Sequence, residues 1–187
     1  MDKTQIEASE YVGRQIKKLI DGEVRTDFTS RLLYSTDASI YQIEPLGVVF
    51  PKTQDDLQAI VETCAGFKMP IIARGSGSGL GGQAIGPGWI IDCTRWLNRI
   101  IEIDTDEQTA TVEPGLILNA LNLAVRKLGL QFGPDPASAE RASMGGSIGN
   151  NAAGAHSICY GMAADHLLEV EVVLSDGSLA LFNQVYL

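Results

Sequence analysis

The feature that most constrains this chain is a glycine-rich segment, PIIARGSGSGLGGQA, at residues 70–84. Ile71 and Ile72 are apolar and β-branched and predict a strand that leads into it, and glycine alternates with serine over residues 75–79. Residues without a bulky side chain let the backbone adopt positive φ and turn its N–H groups toward one point. Such a nest of amides binds phosphate-type anions, so the segment predicts a phosphate-binding loop.

Two common phosphate-binding motifs fit this segment poorly. Gly77, Gly79 and Gly82 match the GxGxxG spacing of dinucleotide-binding βαβ units. That unit needs a helix at the third glycine, whereas a Gly-Pro-Gly turn at 86–88 and an apolar run from Trp89 follow almost at once. No Lys-Ser or Lys-Thr pair follows the glycines, which argues against a Walker loop. A tight turn without a ligand remains the alternative.

The overall charge sharpens this prediction. The chain has 187 residues, enough for one core or for two lobes, and a net charge of −9. Nucleic-acid binding selects basic faces, so we expect no nucleic-acid partner. An acidic protein that binds a phosphate-bearing ligand must do so through local amides rather than through its overall field.

The cysteines and the N-terminus predict a cytoplasmic location. Cys64, Cys93 and Cys159 are widely spaced among apolar neighbours and form no metal-ligand pattern, so we expect buried, reduced thiols and no metal site. The polar N-terminus has no apolar signal core. No run approaches the roughly 18–20 apolar residues of a transmembrane helix, so none is expected.

Periodicity elsewhere predicts a mixture of helices and strands. Thr53 is placed to cap a helix between two strands, which indicates a compact βαβ unit. The stretch 23–45 is interpreted as irregular. Helices are predicted at 5–20, 54–67 and 116–128, and strands at 46–50, 71–72, 89–91, 100–104, 109–113, 167–174 and toward residue 182.

A second glycine-dense segment, QFGPDPASAERASMGGSIGNNAAGAHSICYG, occupies residues 131–161. It contains two small-residue turns, at 144–147 and 150–154, shortly after a Pro-Asp-Pro turn at 134–136. Two separate nests suit a long ligand that must be contacted along its length. FAD is such a ligand, with a pyrophosphate for one nest and a flavin for the other.

Several ordered motifs carry a resemblance to a known family. They are ARGSGSGLGGQ at 73–83, VEPG at 112–115, GPDP at 133–136, MGGSIGNNAAGAHS at 144–157, and Tyr160 with Gly161. The sequence from about residue 25 onward resembles the flavin-binding domain of the FAD-linked oxidase superfamily, of the vanillyl-alcohol oxidase and glycolate oxidase type. It looks most like D-2-hydroxyacid dehydrogenases that fuse this domain to an iron–sulfur domain, which have counterparts of residues 34–51 and 150–161.

The resemblance implies a fold and a set of cofactor contacts. The fold is α+β, a two-lobed FAD-binding domain of the PCMH type, with an N-terminal segment at 1–39 and lobes at 40–105 and 106–187. Arg74 is expected either to neutralise phosphate charge or to brace the loop from behind. The implied FAD-binding residues are Arg74, Gly75, Ser76, Gly77, Ser78, Gly79, Gln83, Pro134, Asp135, Ser143, Gly145, Gly146, Gly149, Asn150, Asn151 and Gly154.

One departure from the family pattern concerns the attachment of the cofactor. Members that bind FAD covalently often have histidine near position 78, where this chain has Ser78. Non-covalent FAD is therefore expected. Gly79 also replaces a residue whose hydroxyl often meets phosphate in the family, and Ser76 or Ser78 is available to substitute.

The resemblance also implies a reaction. In the family the flavin accepts a hydride from C2 of a 2-hydroxy acid such as D-lactate, glycolate or D-2-hydroxyglutarate, while a base removes the hydroxyl proton. That base usually lies in a separate cap domain, which we expect to be missing here because the chain stops at Leu187 directly after a strand. An iron–sulfur cluster is expected only in that missing part, and peripheral association with the inner membrane only for the full-length protein. His156 is the catalytic candidate within the chain, against a purely structural role.

Two other functions remain open. Enolpyruvoyl-glucosamine reductases share the superfamily, although the AGAHS motif at 153–157 disfavours them. The third hypothesis is a folded module that binds nucleotide without catalysis. The electron acceptor and the oligomeric state do not follow from the sequence.

Overall fold

The computed structural model describes residues 3–183, with side chains from residue 6 onward, so the expectation about Leu187 lies outside the described residues. The helices are α1 (Lys3–Leu19), α2 (Phe28–Leu33), α3 (Gln54–Gly66), α4 (Leu118–Val125), α5 (Met144–Gly149) and α6 (Ser157–Tyr160). The strands are β1 (Glu23–Arg25), β2 (Gly47–Phe50), β3 (Ile71–Arg74), β4 (Trp89–Asp92), β5 (Ile100–Asp104), β6 (Thr109–Val112), β7 (Glu169–Val173) and β8 (Leu179–Asn183). Short 3₁₀ turns follow α4 at Arg126–Leu128 and α6 at Ala163–His166.

A four-stranded sheet positions the glycine loop. Its order is β1-β2-β4-β3, with β2 and β3 parallel to β4 and β1 antiparallel to β2. The segment between β3 and β4 contains no helix, which confirms the argument against a dinucleotide-binding βαβ unit at this loop. Arg74 pairs in register with Asp92, so both residues lie at the carboxyl edge from which the loop leaves the sheet.

The first core lies between this sheet and helices α1 and α3. Trp89 of β4 is fully buried against Val12 and Ile16 of α1 and Ile60 of α3. Because α1 repeats apolar residues at helical spacing, it buries one face here and leaves its charged face in solvent. The N-terminal helix is therefore part of the same core as the sheet.

Helix α3 begins at Gln54 with Thr53 as its cap, as predicted, and Asp56, which the sequence analysis had not singled out, adds further contacts. Thr53 Oγ1 accepts from the backbone N–H of Asp56 at 3.1 Å. The buried carboxylate of Asp56 in turn accepts from the N–H of Asp21 at 3.0 Å and from that of Lys52 at 2.8 Å. Asp56 thus joins the segment that follows α1 to the start of α3.

A second core forms around α4. Leu118 and Leu121 pack with Met144 of α5, and the hairpin β5–β6 covers them with Ile103 and Val112. The boundary expected between residues 105 and 106 falls in the turn of this hairpin. Val173 of β7 packs against the first core, so the division into lobes at 40–105 and 106–187 stays a prediction.

Three expectations need correction. The stretch 23–45 contains β1 and α2 rather than irregular chain only, and α2 starts at the capping carboxylate of Asp27. Residues 144–147 form the first part of α5 rather than a turn, because Ser143 caps the helix there. Cys159 is exposed on the short helix α6, in contrast to the buried Cys64. Within residues 3–183, no helix is both long and apolar enough to cross a membrane.

Candidate functional site

The two glycine segments face each other across a cavity of about 190 Å³. The loop at 75–79 extends from β3 of the sheet, and α5 extends from the second core, so the cavity lies between the two cores. Every residue that lines it is Gly, Ala, Ser, Asn or Gln. Whole small-molecule sites usually enclose about 300–1,000 Å³, so this cavity suits one part of a ligand such as FAD rather than all of it.

Direct contacts hold the two segments together. The hydroxyl of Ser76 donates to the carbonyl of Arg141, and Nε2 of Gln83 donates to Oδ1 of Asn150 at 2.8 Å. Gly75 lies so close to Ser143 that a Cβ at position 75 would overlap the Ser143 hydroxyl. A glycine is therefore required where the loop passes the start of α5.

The loop presents backbone donors that the protein itself does not use. Within residues 3–183, the N–H groups of residues 76–79 donate to no protein acceptor. The carbonyl of Gly77, in contrast, accepts from the N–H of Ala38 at 2.9 Å, which fixes the loop from its other side. Unused amides on a loop that borders a cavity are the donor set that a pyrophosphate requires, so the residues fit that part of FAD.

Arg74 braces this loop. Its guanidinium donates to the carbonyl of Thr36 at 2.9 Å and to that of Ala84 at 3.1 Å, and it lies 4.9 Å from the ring centre of Tyr34. A Cβ at Gly77 would come within 2.6 Å of Nη2 of Arg74, so the guanidinium is directly beneath the loop. Of the two roles expected for Arg74, the contacts favour the bracing one.

Helix α5 contributes a residue that the sequence analysis missed. Ser143 caps the helix itself, because its Oγ accepts from the N–H of Gly146 at 3.2 Å. Ser147 lines the cavity one turn later, is 2 % exposed and has no hydrogen-bond partner for its Oγ within the described part of the chain. A serine one helical turn after the capping serine was the available signal, but it required the helix to be recognised first.

The end of the second glycine segment forms a separate cluster. Asp135 accepts from the backbone N–H of His156 at 2.9 Å and pairs with Nδ1 of its ring at 2.5 Å. Two hydrogen bonds hold the pKa of Asp135 below its usual value. The larger effect comes from the N–H of His156 and the next from its ring. Asn151 Oδ1 accepts from the N–H of Ala164 at 2.9 Å, so this residue fixes the chain beyond α6.

A second cavity of about 350 Å³ adjoins the loop. It shares Ser76, Gly77 and Ser78 with the first cavity and is otherwise lined by residues such as Asp37 and Arg141. The loop therefore has a cavity on either side.

The structure brings together only part of the expected set. Residues 75–79, Gln83, Ser143, Gly146 and Asn150 line the first cavity, and Arg74 lines the second. The expected residues that do not line either cavity are Pro134, Asp135, Gly145, Gly149, Asn151, Gly154 and His156. Gly145 instead packs against Pro114, and Pro134 is fully buried. Flavin contacts of all these residues stay predictions.

Two curated relatives are similar over most of this chain. The D-2-hydroxyglutarate dehydrogenase of Escherichia coli (strain K12) is 39% identical over 161 residues, which cover 84% of this chain and 16% of that protein. The glycolate oxidase subunit GlcD of Bacillus subtilis (strain 168) is 38% identical over 151 residues, 80% of this chain and 32% of that protein. The chain thus spans about a sixth to a third of the length of these relatives.

Solved structures show the same fold. The substrate-bound structure of p-cresol methylhydroxylase matches with a TM-score of 0.81 at 22% identity, over 94% of this chain and 35% of that one. This similarity confirms the expected α+β fold of the FAD-linked oxidase type.

A sequence profile of one family covers most of the described chain. It is the family described as FAD binding domain, and it matches residues 45–182, from just before β2 into β8. The match includes the loop at 75–79 with its unused amides and the helix α5 that faces it. The chain belongs to the FAD binding domain family.

Proposed function

We propose that this chain holds FAD, without a covalent link, for an enzyme that oxidises 2-hydroxy acids. One observation carries the proposal: the amides of residues 76–79 border a cavity whose opposite wall is the second glycine segment. The relatives named for D-2-hydroxyglutarate and glycolate support the substrate class.

The cavity binds the pyrophosphate with neutral donors. Its walls carry no charged side chain among the described residues, and Arg74 is engaged by carbonyls. Backbone amides therefore supply the hydrogen bonds, together with Ser147, whose buried hydroxyl lacks a partner in the described part of the chain. Ser78 offers no imidazole for a flavin bond, which leaves the cofactor exchangeable.

Bound flavin supplies a hydride acceptor for C2 of a 2-hydroxy acid. For the hydroxyl proton, His156 is the candidate base within this chain. A proton on Nδ1 is held by the carboxylate of Asp135 at 2.5 Å, which leaves the lone pair of Nε2 free to accept another. The side chain is 66% exposed, so Nε2 is accessible from solvent.

Titration of the flavin-free chain with FAD tests the cofactor proposal. We expect quenching of flavin fluorescence on binding, and release of the yellow colour into the supernatant after acid precipitation. Colour retained in the pellet contradicts the non-covalent link. Failure to bind FAD contradicts the proposed function.

Dye reduction tests the reaction. The FAD-loaded chain and the natural protein that contains it are compared with D-2-hydroxyglutarate, glycolate, D-lactate and the L-enantiomers of the chiral acids. We expect turnover of a 2-hydroxy acid by the natural protein and little by the chain alone. A His156→Gln exchange in the natural protein should lower kcat by about 10²–10⁴-fold if His156 is the base. Oxidation of NADPH without any 2-hydroxy acid turnover favours the reductase alternative instead.

We further propose a cytoplasmic location. The free cysteines Cys64, Cys93 and Cys159 of the described residues support it. Cell fractionation with an antibody against the chain tests it, and recovery from the medium contradicts it.

A further inference from the structure

Tyr34 directly follows α2 and lies 40 residues before Arg74, which it contacts in space. We infer that Tyr34 is a positioning residue for the phosphate loop, which acts by fixing the guanidinium of Arg74 beneath Gly77. The inference rests on the proposed function, because its effect is on the affinity for the pyrophosphate of FAD.

Arg74 packs against the ring of Tyr34. The guanidinium carbon is 4.9 Å from the centre of the Tyr34 ring, within the range of a cation–π contact. Nη1 of Arg74 also lies 3.5 Å from the backbone carbonyl of Tyr34. A planar guanidinium that is stacked on a ring and directed at carbonyls has one orientation rather than many.

The ring of Tyr34 is itself fixed by contacts with Asp92 and Phe50. Its hydroxyl donates to Oδ2 of Asp92 at 2.6 Å, and the ring meets Phe50 edge-on with centres 5.9 Å apart. Asp92 is buried, and its other oxygen accepts from the N–H of Thr94 at 2.8 Å. Burial, and next the bond to Asp92, raise the pKa of Tyr34 above its usual value, so the hydroxyl keeps the proton that it donates.

Arg74, once fixed by Tyr34, supports the loop that borders the cavity. Arg74 donates to the carbonyls of Thr36 and Ala84, which flank the loop on either side, and its Nη2 is the nearest atom to a Cβ built on Gly77. Displacement of the guanidinium therefore removes the side chain that packs against the loop and supports the backbone of residues 76–79. The support links α2, β3 and β4 to the loop at 75–79, whose amides at 76–79 are unused in the described chain.

Three variants of the chain test the inference: Arg74→Met, Tyr34→Leu and Tyr34→Phe. Arg95→Met is the matched control, because Arg95 also lies over an aromatic ring, that of Phe50 at 5.2 Å, but lines neither cavity. Arg95 also lies over Trp96 at 5.4 Å and pairs with Glu23, and neither of these residues lines a cavity. Each protein is titrated with FAD, with ADP and with riboflavin, and its thermal unfolding is recorded without ligand. ADP reports on the pyrophosphate contacts, and riboflavin reports on the flavin end alone.

We expect Arg74→Met and Tyr34→Leu to weaken FAD and ADP binding by about tenfold, the order of magnitude of one half-buried cation–π contact. Tyr34→Phe retains the ring and should recover most of that affinity. Riboflavin binding should change by less than about twofold in every variant, and Arg95→Met should bind all three ligands like the parent chain.

The outcomes separate the two proposals. If the parent chain binds neither FAD nor ADP, the proposed function fails. If the parent binds both and Tyr34→Leu binds them equally well, the inference about Tyr34 is wrong. Equal weakening of riboflavin and ADP also overturns it, because a general loss of folded structure affects both. If Tyr34→Leu does not fold, the comparison of Arg74→Met with Arg95→Met decides, since both remove one stacked arginine.

Discussion

Among the single residues of the loop, Gly77 is subject to two constraints at once. Its φ is +67°, and a Cβ there would come within 2.6 Å of Nη2 of Arg74. Gly129 shares the first constraint, with φ at +74°, but a Cβ there would have no heavy atom within 4 Å. The two glycines therefore separate backbone strain from contact with the loop support.

Exchange of each glycine for alanine makes that separation measurable. We expect Gly77→Ala and Gly129→Ala each to lose about 1 kcal/mol of unfolding free energy, since alanine is disfavoured at positive φ. Only Gly77→Ala should also weaken FAD binding, by about tenfold or more, because the methyl group displaces Arg74. Urea unfolding and FAD titration of both variants check this. Equal FAD affinity in the two variants means that the loop is only a turn.

Ser147 gives a second prediction at a single residue. Because its buried hydroxyl has no partner in the described chain, Ser147→Ala should leave the stability of the flavin-free chain unchanged or higher. FAD affinity should fall by a factor of about 3–10, the effect of one lost hydrogen bond. Ser143→Ala is the contrast, since it removes a helix cap and should cost about 1 kcal/mol in stability. A stability loss in Ser147→Ala comparable to that of Ser143→Ala would contradict the assignment.

Among the elements, α3 depends on one buried carboxylate. Asp56 accepts two backbone N–H groups from segments that precede the helix, whereas its neighbour Asp55 is exposed in the same first turn. We expect Asp56→Ala to lower the unfolding free energy by about 2–3 kcal/mol, because the N–H groups of Asp21 and Lys52 lose their acceptor. Asp55→Ala should cost less than about 1 kcal/mol, through the helix dipole alone. Urea unfolding of the two variants checks this, and similar losses in both would argue against the bridging role of Asp56.

Elements with a strong local signal could be predicted, and those made by packing could not. Thr53, followed by apolar residues at helical spacing, indicates α3 because a side-chain cap and an amphipathic stripe are both local. Helix α5 contains three glycines in six residues, which disfavours a helix by propensity. The fold requires one of them for contact rather than for a turn, because Gly145 packs against Pro114. The three-residue strand β1 exists only through its pairing with β2, which no local pattern reveals.

The candidate site, too, has a part that could be predicted from the sequence and a part that could not. The loop at 75–79 is recognisable from its composition, and the structure places it at a cavity. The roles of Arg74 and Ser147 depend on which atoms are already occupied by other parts of the chain. Spacing along the sequence carries no information about that.

For the whole molecule, three aspartates predict how stability depends on pH. Hydrogen bonds from Ser30, His156 and Ser178 hold the pKa values of Asp27, Asp135 and Asp176 below the usual 3.8. A carboxyl with a lowered pKa in the folded state stabilises fully above its unfolded pKa and loses that contribution as the pH falls through the folded value. The unfolding temperature should therefore be flat from pH 7 to about 5 and fall below pH 3.8.

Substitution of two of these aspartates tests the origin of that fall. The double exchange Asp27→Asn and Asp176→Asn involves residues that line neither cavity and should flatten the decline below pH 3.8 relative to the parent chain. Calorimetry from pH 7 to 3 measures it. An unchanged decline would assign the acid sensitivity to other carboxyl groups.

The position of β3 in the sheet has a consequence for local stability. The strand that carries the loop is also an outer strand, with β4 as its one neighbour in the described chain, and it is only four residues long. Such a strand opens at a lower free energy than the buried strands β2 and β4, so its amides should exchange with solvent deuterium first. FAD at 100 times its Kd would stabilise the bound state by about 2.7 kcal/mol. If β3 opens only after the ligand has left, the free energy of opening β3 rises by the same amount. Bound FAD would then hold this outer strand in the sheet, and deuterium uptake by residues 71–79 would slow on binding while uptake by β2 stays the same.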